Sequence, residues 1–308
     1  MPADQAPIPV ASTFLTLQSG DSLARIALTG AEPLVWRVAE RDLLWTPDPA
    51  YWSATSPILF PLVGWARNGE IRVDGRTYPM GVHGFAASKT FDVVARSANA
   101  ATLRLRNDPA THAGFPFHFM LDVTYRLDQD ALISMFDISN PGTEPLPYAL
   151  GVHPGFCWPF AGGAQSEYSL HFPRDERAEV PIIAPDGLFS REARPIPLKD
   201  RTLPLSPELF AREALCLLHA ASPSLSFAHK DGAAIELICE DFPHFAFWTK
   251  PGAPYLCLEA WTGHGDPVGF TGDIREKPSM RLLAPGDVAR HAVTFRYHAP
   301  VYSNGHEE

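Results

Sequence analysis

The sequence predicts an all-β protein, one large antiparallel β-sandwich, and three observations carry that expectation. The 31 prolines are spread along all 308 residues. Proline is excluded from helix interiors and central ladders, so this spread implies many short elements joined by turns. Apolar–polar alternation recurs in short segments, each bounded by Gly, Pro, Asn or Asp. Helical signals are few. A β chain of this length must protect its edges by stacking sheets or closing a barrel, and a sandwich is the expected solution.

Taken in order, the apolar stretch Pro57-Ile58-Leu59-Phe60-Pro61-Leu62-Val63 reads as a strand. It runs into Gly64, Trp65 and Arg67 and ends at Asn68-Gly69, a hairpin signal. Leu103 and Leu105 alternate with Arg104 and Arg106, as Leu121, Val123, Tyr125 and Leu127 do with Asp122, Thr124 and Arg126. Val293, Phe295 and Tyr297 form the last strong strand, after the turn Ala284-Pro285-Gly286-Asp287. The best helix signal begins at Ser206-Pro207, with Ser as N-cap and Pro at the first helical position, and predicts a helix to about Leu218. No repeat or linker divides the chain. Residues 1–308 are therefore expected to form one domain with its core over about 12–300, and with frayed tails at 1–11 and 302–308.

Composition narrows the function. The net charge is −10 and no block of Lys or Arg occurs, so the basic face that nucleic acid requires is missing. An acidic chain is also repelled by anionic membranes. Cys157, Cys216, Cys239 and Cys257 are widely spaced and read as reduced thiols. Without a signal-peptide pattern or a spanning apolar run, a cytoplasmic location is expected.

Three segments carry candidate chemistry. In Tyr255-Leu256-Cys257-Leu258-Glu259-Ala260-Trp261, a period of two puts Tyr255, Cys257, Glu259 and Trp261 on one face. A mid-strand carboxylate is costly unless it is solvated, paired or useful. In Gly151-Val152-His153-Pro154-Gly155-Phe156, a strand ends in His-Pro, which holds an imidazole at a strand terminus. Histidine is the side chain best suited to exchange protons near neutral pH. In Met80-Gly81-Val82-His83-Gly84-Phe85, glycines beside His83 permit close approach of a ligand. Each also has a plain reading, as a solvent-facing Glu or as structural turn histidines.

Together the pieces PILFPLVGWARNG, HGFA, GVHPGF, FWTKPGAPYLCLEAWTGHGD and LAPGD, in that order, resemble the aldose 1-epimerase (galactose mutarotase-like) family. The resemblance covers about residues 13–298 and is similar to a bacterial branch whose substrates are poorly defined. It implies the large antiparallel sandwich of that family with a sugar cleft, and neither metal nor organic cofactor. It implies Glu259 as general base, His153 as general acid, and His83 as a substrate-binding residue. Such an enzyme takes a small sugar as partner, and a homodimer is compatible with the pattern. The family's sugar-binding Arg is not matched directly: Trp65 stands in its slot, and Arg67, two residues on, is its expected substitute if the two share a strand face. Ala87 stands where relatives carry another Arg, leaving Lys89 as the nearest cation. Glu213 is the match for an acidic sugar-binding position. Trp261, Trp65, Phe156 and Trp158 are candidates to cover apolar sugar faces, against ordinary core packing.

The resemblance brings the imidazole at 153 and the carboxyl group at 259 to opposite sides of one sugar-sized hollow. Competing readings are a hexose-phosphate 1-epimerase, which needs cations such as Arg67, Arg72, Lys89 or Lys250 at the cleft, and a non-catalytic carbohydrate-binding module. A two-His, one-carboxylate metal site of His83, His153 and Glu259 and a glycoside hydrolase with a second carboxylate are further ones.

Overall fold

Strands make up almost all of the regular secondary structure in the computed structural model, which describes residues 13–300. The tails expected to fray lie outside the described residues. The largest sheet has nine strands, all paired antiparallel, and its centre is formed by Ala234–Glu240, Val288–His298, Ala131–Ser139 and Met120–Asp128. The alternation read from sequence is the alternation observed. Leu121, Val123, Tyr125 and Leu127 are buried while Asp122, Thr124 and Arg126 face outward. Burying each such apolar side chain is worth about 1.5–3 kcal/mol. Tyr125 satisfies its buried hydroxyl by donating to the Ala31 carbonyl at 2.7 Å.

A second sheet of shorter strands runs in the order Leu215–Leu217, His244–Trp248, Tyr255–Trp261, Gly151–Val152 and Ile58–Leu59, with Gly155–Cys157 also pairing to Tyr255–Trp261. Leu256, Leu258 and Ala260 point into the main core, shared with Leu121, Phe136 and Phe295 of the nine-stranded sheet. Phe156 and Phe295 meet across the layers with ring centres 5.1 Å apart. The molecule is thus an antiparallel β-sandwich, and a four-stranded sheet of Phe14–Ser19, Ser22–Ala27, Pro33–Val38 and Arg41–Asp42 adds Trp36 to the same core. Among the described residues, no helix is long and apolar enough to cross a membrane.

Two local expectations fail. The helix expected from Ser206 to Leu218 is only the 3-10 turn Pro207–Phe210, and the Ser206 side chain makes no cap bond. Leu215–Leu217 instead pairs antiparallel with 245–247, burying all three residues. Sheet pairing outweighs the local helix signal. At Asn68-Gly69 both residues have positive φ, as a tight turn demands, but the segment before it is not the partner strand of the one after it. The hairpin forms one step later, joining Glu70–Val73 to Arg76–Pro79 through Asp74-Gly75.

Candidate active site

The strand Tyr255–Trp261 is buried along its whole length, so both faces are covered and each residue must suit its side. Opposite the core-facing leucines, Tyr255 and Cys257 pack with Trp45, and Trp261 packs with Leu59, Ala246 and Cys216. Glu259 lies between these two small apolar clusters and is 2% exposed.

Register brings His153 to it. Val152 pairs with Ala260 and Gly155 with Cys257, so His153-Pro154 spans the gap opposite Leu258 and Glu259. The Pro154 carbonyl accepts from Leu258 N–H at 3.1 Å and the Pro57 carbonyl from His153 N–H at 3.2 Å, which fixes the segment on both sides. The result is a contact of 3.4 Å between His153 Nε2 and Glu259 Oε1. The two groups are neighbours, not residues facing each other across a hollow as expected from the sequence. Glu259 Oε2 accepts from the Trp261 indole N–H at 3.0 Å.

Burial acts on both charges. It drives the Glu259 carboxyl well above the usual carboxylate range, with the Trp261 hydrogen bond opposing. It pulls His153 down to about 3, and nearby His83 adds to this. His153 Nδ1 is buried with no hydrogen-bond partner among the described residues.

His83 is placed by the chain turn that its glycines allow. Its own φ is +63°, a strained value for a side-chain-bearing residue. A Cβ on Gly84 would stand 2.4 Å from the Phe60 carbonyl, so only glycine fits there. His83 N–H donates to the Gly64 carbonyl at 3.0 Å, and Gly64 N–H donates back to His83 Nδ1 at 3.1 Å. Because Nδ1 accepts, the neutral ring carries its proton on Nε2 and is a donor. Burial lowers His83 to about 4, so it is a neutral donor at physiological pH.

These residues meet in a cavity of about 360 Å³, within the range of small-molecule sites. Of the residues singled out from sequence, His83, His153, Glu259, Glu213, Trp65 and Trp261 line it. Burial raises the Glu213 carboxyl, partly offset by the Arg194 cation.

The arrangement of an imidazole and a carboxyl group in contact within a cavity can pass protons to and from a bound hydroxyl compound. The chain matches the model of the aldose 1-epimerase family over residues 13–296. It belongs to the aldose 1-epimerase family. Its similarity to a galactose mutarotase related enzyme from Lactobacillus acidophilus is 27% identity with a TM-score of 0.87, over 94% of this chain and 98% of that one. A galactose mutarotase-like protein from Lactobacillus casei ATCC 334 gives 28% identity and a TM-score of 0.86, over 92% of this chain and all of that one (100%). Protein LacX of Lactococcus lactis subsp. lactis is 29% identical over 260 residues, 81% of this chain and 87% of the relative. The fold and the isomerase class of this family member follow from those matches.

Several expected participants stand elsewhere in this aldose 1-epimerase family chain. Residues 64–66 do not continue a strand, so Trp65 and Arg67 do not share a strand face. Trp65 lines the cavity, but Arg67 is in a 3-10 turn outside the lining. Its backbone N–H is held by Asp266 and its guanidinium lies 3.5 Å from the Phe270 carbonyl. Lys250 reaches the Ala50 carbonyl, and neither Lys89 nor Arg72 lines the cavity. Phe156 and Trp158 are core residues, packed on Trp36 and Phe210 respectively. Among the described residues, no group of three or more His, Cys, Asp or Glu side chains is arranged to hold a metal ion.

Sequence reading missed Trp52, Trp248 and Cys216, which also line the cavity. Trp248 sits within the FWTKPG piece and Trp52 follows the polar turn at Asp48. Neither carried a pattern that distinguishes a cavity wall from core.

Proposed function

We propose that the protein is an aldose 1-epimerase that interconverts the α and β anomers of a free, unphosphorylated aldose. The observation that carries this reading is the contact of His153 and Glu259 inside one sugar-sized cavity. The anomeric hydroxyl and the ring oxygen are bonded to the same carbon, C1. An acid and a base that stand close together can therefore serve both oxygens, and these two do stand close. Glu259, as carboxylate, removes the proton of the C1 hydroxyl while His153, as imidazolium, protonates the ring oxygen. The bond from C1 to the ring oxygen breaks and the aldehyde forms. After rotation about C1–C2, the ring oxygen attacks the other face, and the two protons return by the same routes. Protons are exchanged only between sugar and pair, so the cycle closes without a cofactor. The Nε2–H of His83 supplies a neutral donor to a sugar oxygen.

The wall chemistry supports an uncharged substrate. Among the described residues, neither Lys nor Arg lines the cavity, whereas Glu213 and Glu259 do. A phosphoryl group would meet carboxylates without a partnering cation. The test is two-dimensional exchange NMR on matched free and phosphorylated aldoses with trace protein. Faster α–β exchange of a free aldose is expected. Acceleration of only the phosphorylated members would overturn the substrate assignment, and acceleration of none would overturn the enzyme reading in favour of a binding module.

A further inference from the structure

The His153–Glu259 pair holds one proton in either of two arrangements. In one, an imidazole lies beside a carboxylic acid. In the other, an imidazolium lies beside a carboxylate, and the proton has left the Glu259 oxygen for His153 Nε2. Burial opposes charge on each member and favours the first. The chemistry proposed above, on which this inference rests, uses the second.

Two of the tryptophans at the pair bear on its charge, one on each member. The Trp261 indole N–H donates to Glu259 Oε2 at 3.0 Å. The Trp52 ring lies over the His153 imidazole, with centroids 5.0 Å apart and planes inclined by 32°. Trp52 is itself braced by Tyr255 at 5.5 Å and by Trp248 at 5.9 Å, so its position is fixed by packing. An N–H donor lowers the energy of a carboxylate more than that of a carboxylic acid. The face of an indole is negative and attracts an imidazolium more than a neutral imidazole. Each tryptophan therefore acts on its own member in the same sense.

We propose that Trp261 and Trp52 are positioning residues that move the shared proton onto His153, and so set the reactive protonation state of the pair.

The other groups near the pair do not supply this bias. Cys257 on the same strand and Cys216 two strands away are buried thiols whose burial keeps them protonated. His83, 5.6 Å from His153 between ring centres, is neutral above about pH 4. Glu213 is the other carboxyl group in the cavity lining, and Arg194 interacts electrostatically with Glu213 and Cys216 from outside that lining. Trp248 meets His153 edge-on at 83° and 6.1 Å, so it does not offer the same stacked face.

The readout is the proton's location, independent of turnover. Protein labelled with ¹³C at glutamate carboxyl carbons and ¹⁵N at histidine is observed at pH 7, with the Glu259 signal assigned by its loss in Glu259→Gln. In the wild type the Glu259 carbon should lie toward the carboxylate position and His153 toward imidazolium. Trp261→Phe should move the carbon toward the carboxylic acid position. Benzothienylalanine at 261, which keeps the bicyclic shape but has sulfur in place of N–H, should do the same. Trp52→Leu should move the His153 nitrogens toward the neutral ring. Loss of a hydrogen bond to a charged group predicts a kcat about 10-fold lower with KM little changed. Unchanged Glu259 and His153 signals in the benzothienylalanine and Trp52→Leu proteins would overturn the proposal. If the signals move but no sugar exchange is accelerated by the wild type, the epimerase reading fails while the proton bias stands. If exchange is accelerated but the signals do not move, the reverse holds.

Discussion

The two large sheets solve different problems. In the nine-stranded sheet, the longer strands alternate between a core face and an outer face, and carboxylates and guanidinium groups stay outside, as in the Arg104–Asp122 pair at 2.6 Å, while His229 and His291 are buried. In the second sheet most strands are two to five residues long, its central strand is buried on both sides, and buried polar groups include Glu259, His153 and His244. Such groups cost stability unless they are compensated. The first sheet therefore contributes stability that permits the second to hold the buried His153–Glu259 pair. Under the proposed function, stability and chemistry reside in separate layers that share one core.

The largest test of that division is at the pair itself. Glu259→Gln and His153→Ala should each lower kcat for anomer exchange by about 10²–10⁴-fold. The thermal midpoint of Glu259→Gln should match or exceed the wild type, because a neutral amide replaces a buried carboxyl and still accepts from Trp261. A large fall in thermal midpoint would show that the pair is structural. The converse substitution is Leu121→Ala in the nine-stranded sheet. It should cost about 2–5 kcal/mol in denaturant melts, with exchange per folded molecule unchanged.

A smaller effect is expected at the cavity's other carboxyl group. Glu213→Gln should raise KM about 10-fold with kcat nearly constant, as for loss of one charged hydrogen bond to substrate. A change in kcat alone would place Glu213 in the proton path.

Acid sensitivity should also originate on the chemical side. Burial lowers His83 and His264 to about 4, and His244 to about 3, from 6.5. Between about pH 4 and 6.5 the unfolded chain binds these protons and the folded one does not, so stability rises with pH over that window. It is fully present above 6.5 and is lost on acidification. Three groups titrating in the same sense predict a lower urea midpoint at pH 5 than at pH 7. A midpoint that is higher at pH 5 would contradict the buried neutral state of these histidines. The smallest effect is predicted for Arg67→Ala, which should leave KM within about two-fold, since its guanidinium is outside the cavity.

Legibility in the sequence followed the same division. Alternation in 121–127 and 293–297 encodes a half-buried strand directly, because each residue's face is set by a period of two. The same period correctly separated Tyr255, Cys257 and Trp261 from Leu256, Leu258 and Ala260, and with them placed Glu259 on the cavity side. Where structure depends on distant partners, local signals misled. Ser206-Pro207 promised a helix, but the strand 244–248 captured Leu215–Leu217. Arg67 was expected on the sugar side, but the turn at 67–69 and Asp266, 199 residues away, redirect it. Trp52 was not singled out, because its stacking on His153 joins segments 101 positions apart, and nothing in its neighbours announces that contact.

Exchange spectroscopy on one free aldose, with wild type and Glu259→Gln side by side, addresses the central claim most directly. The wild type at catalytic concentration should produce α–β cross-peaks well above the spontaneous rate, and the variant should fall close to that rate. Equal acceleration by both proteins would show that the carboxyl group beside His153 is not the base that opens the ring.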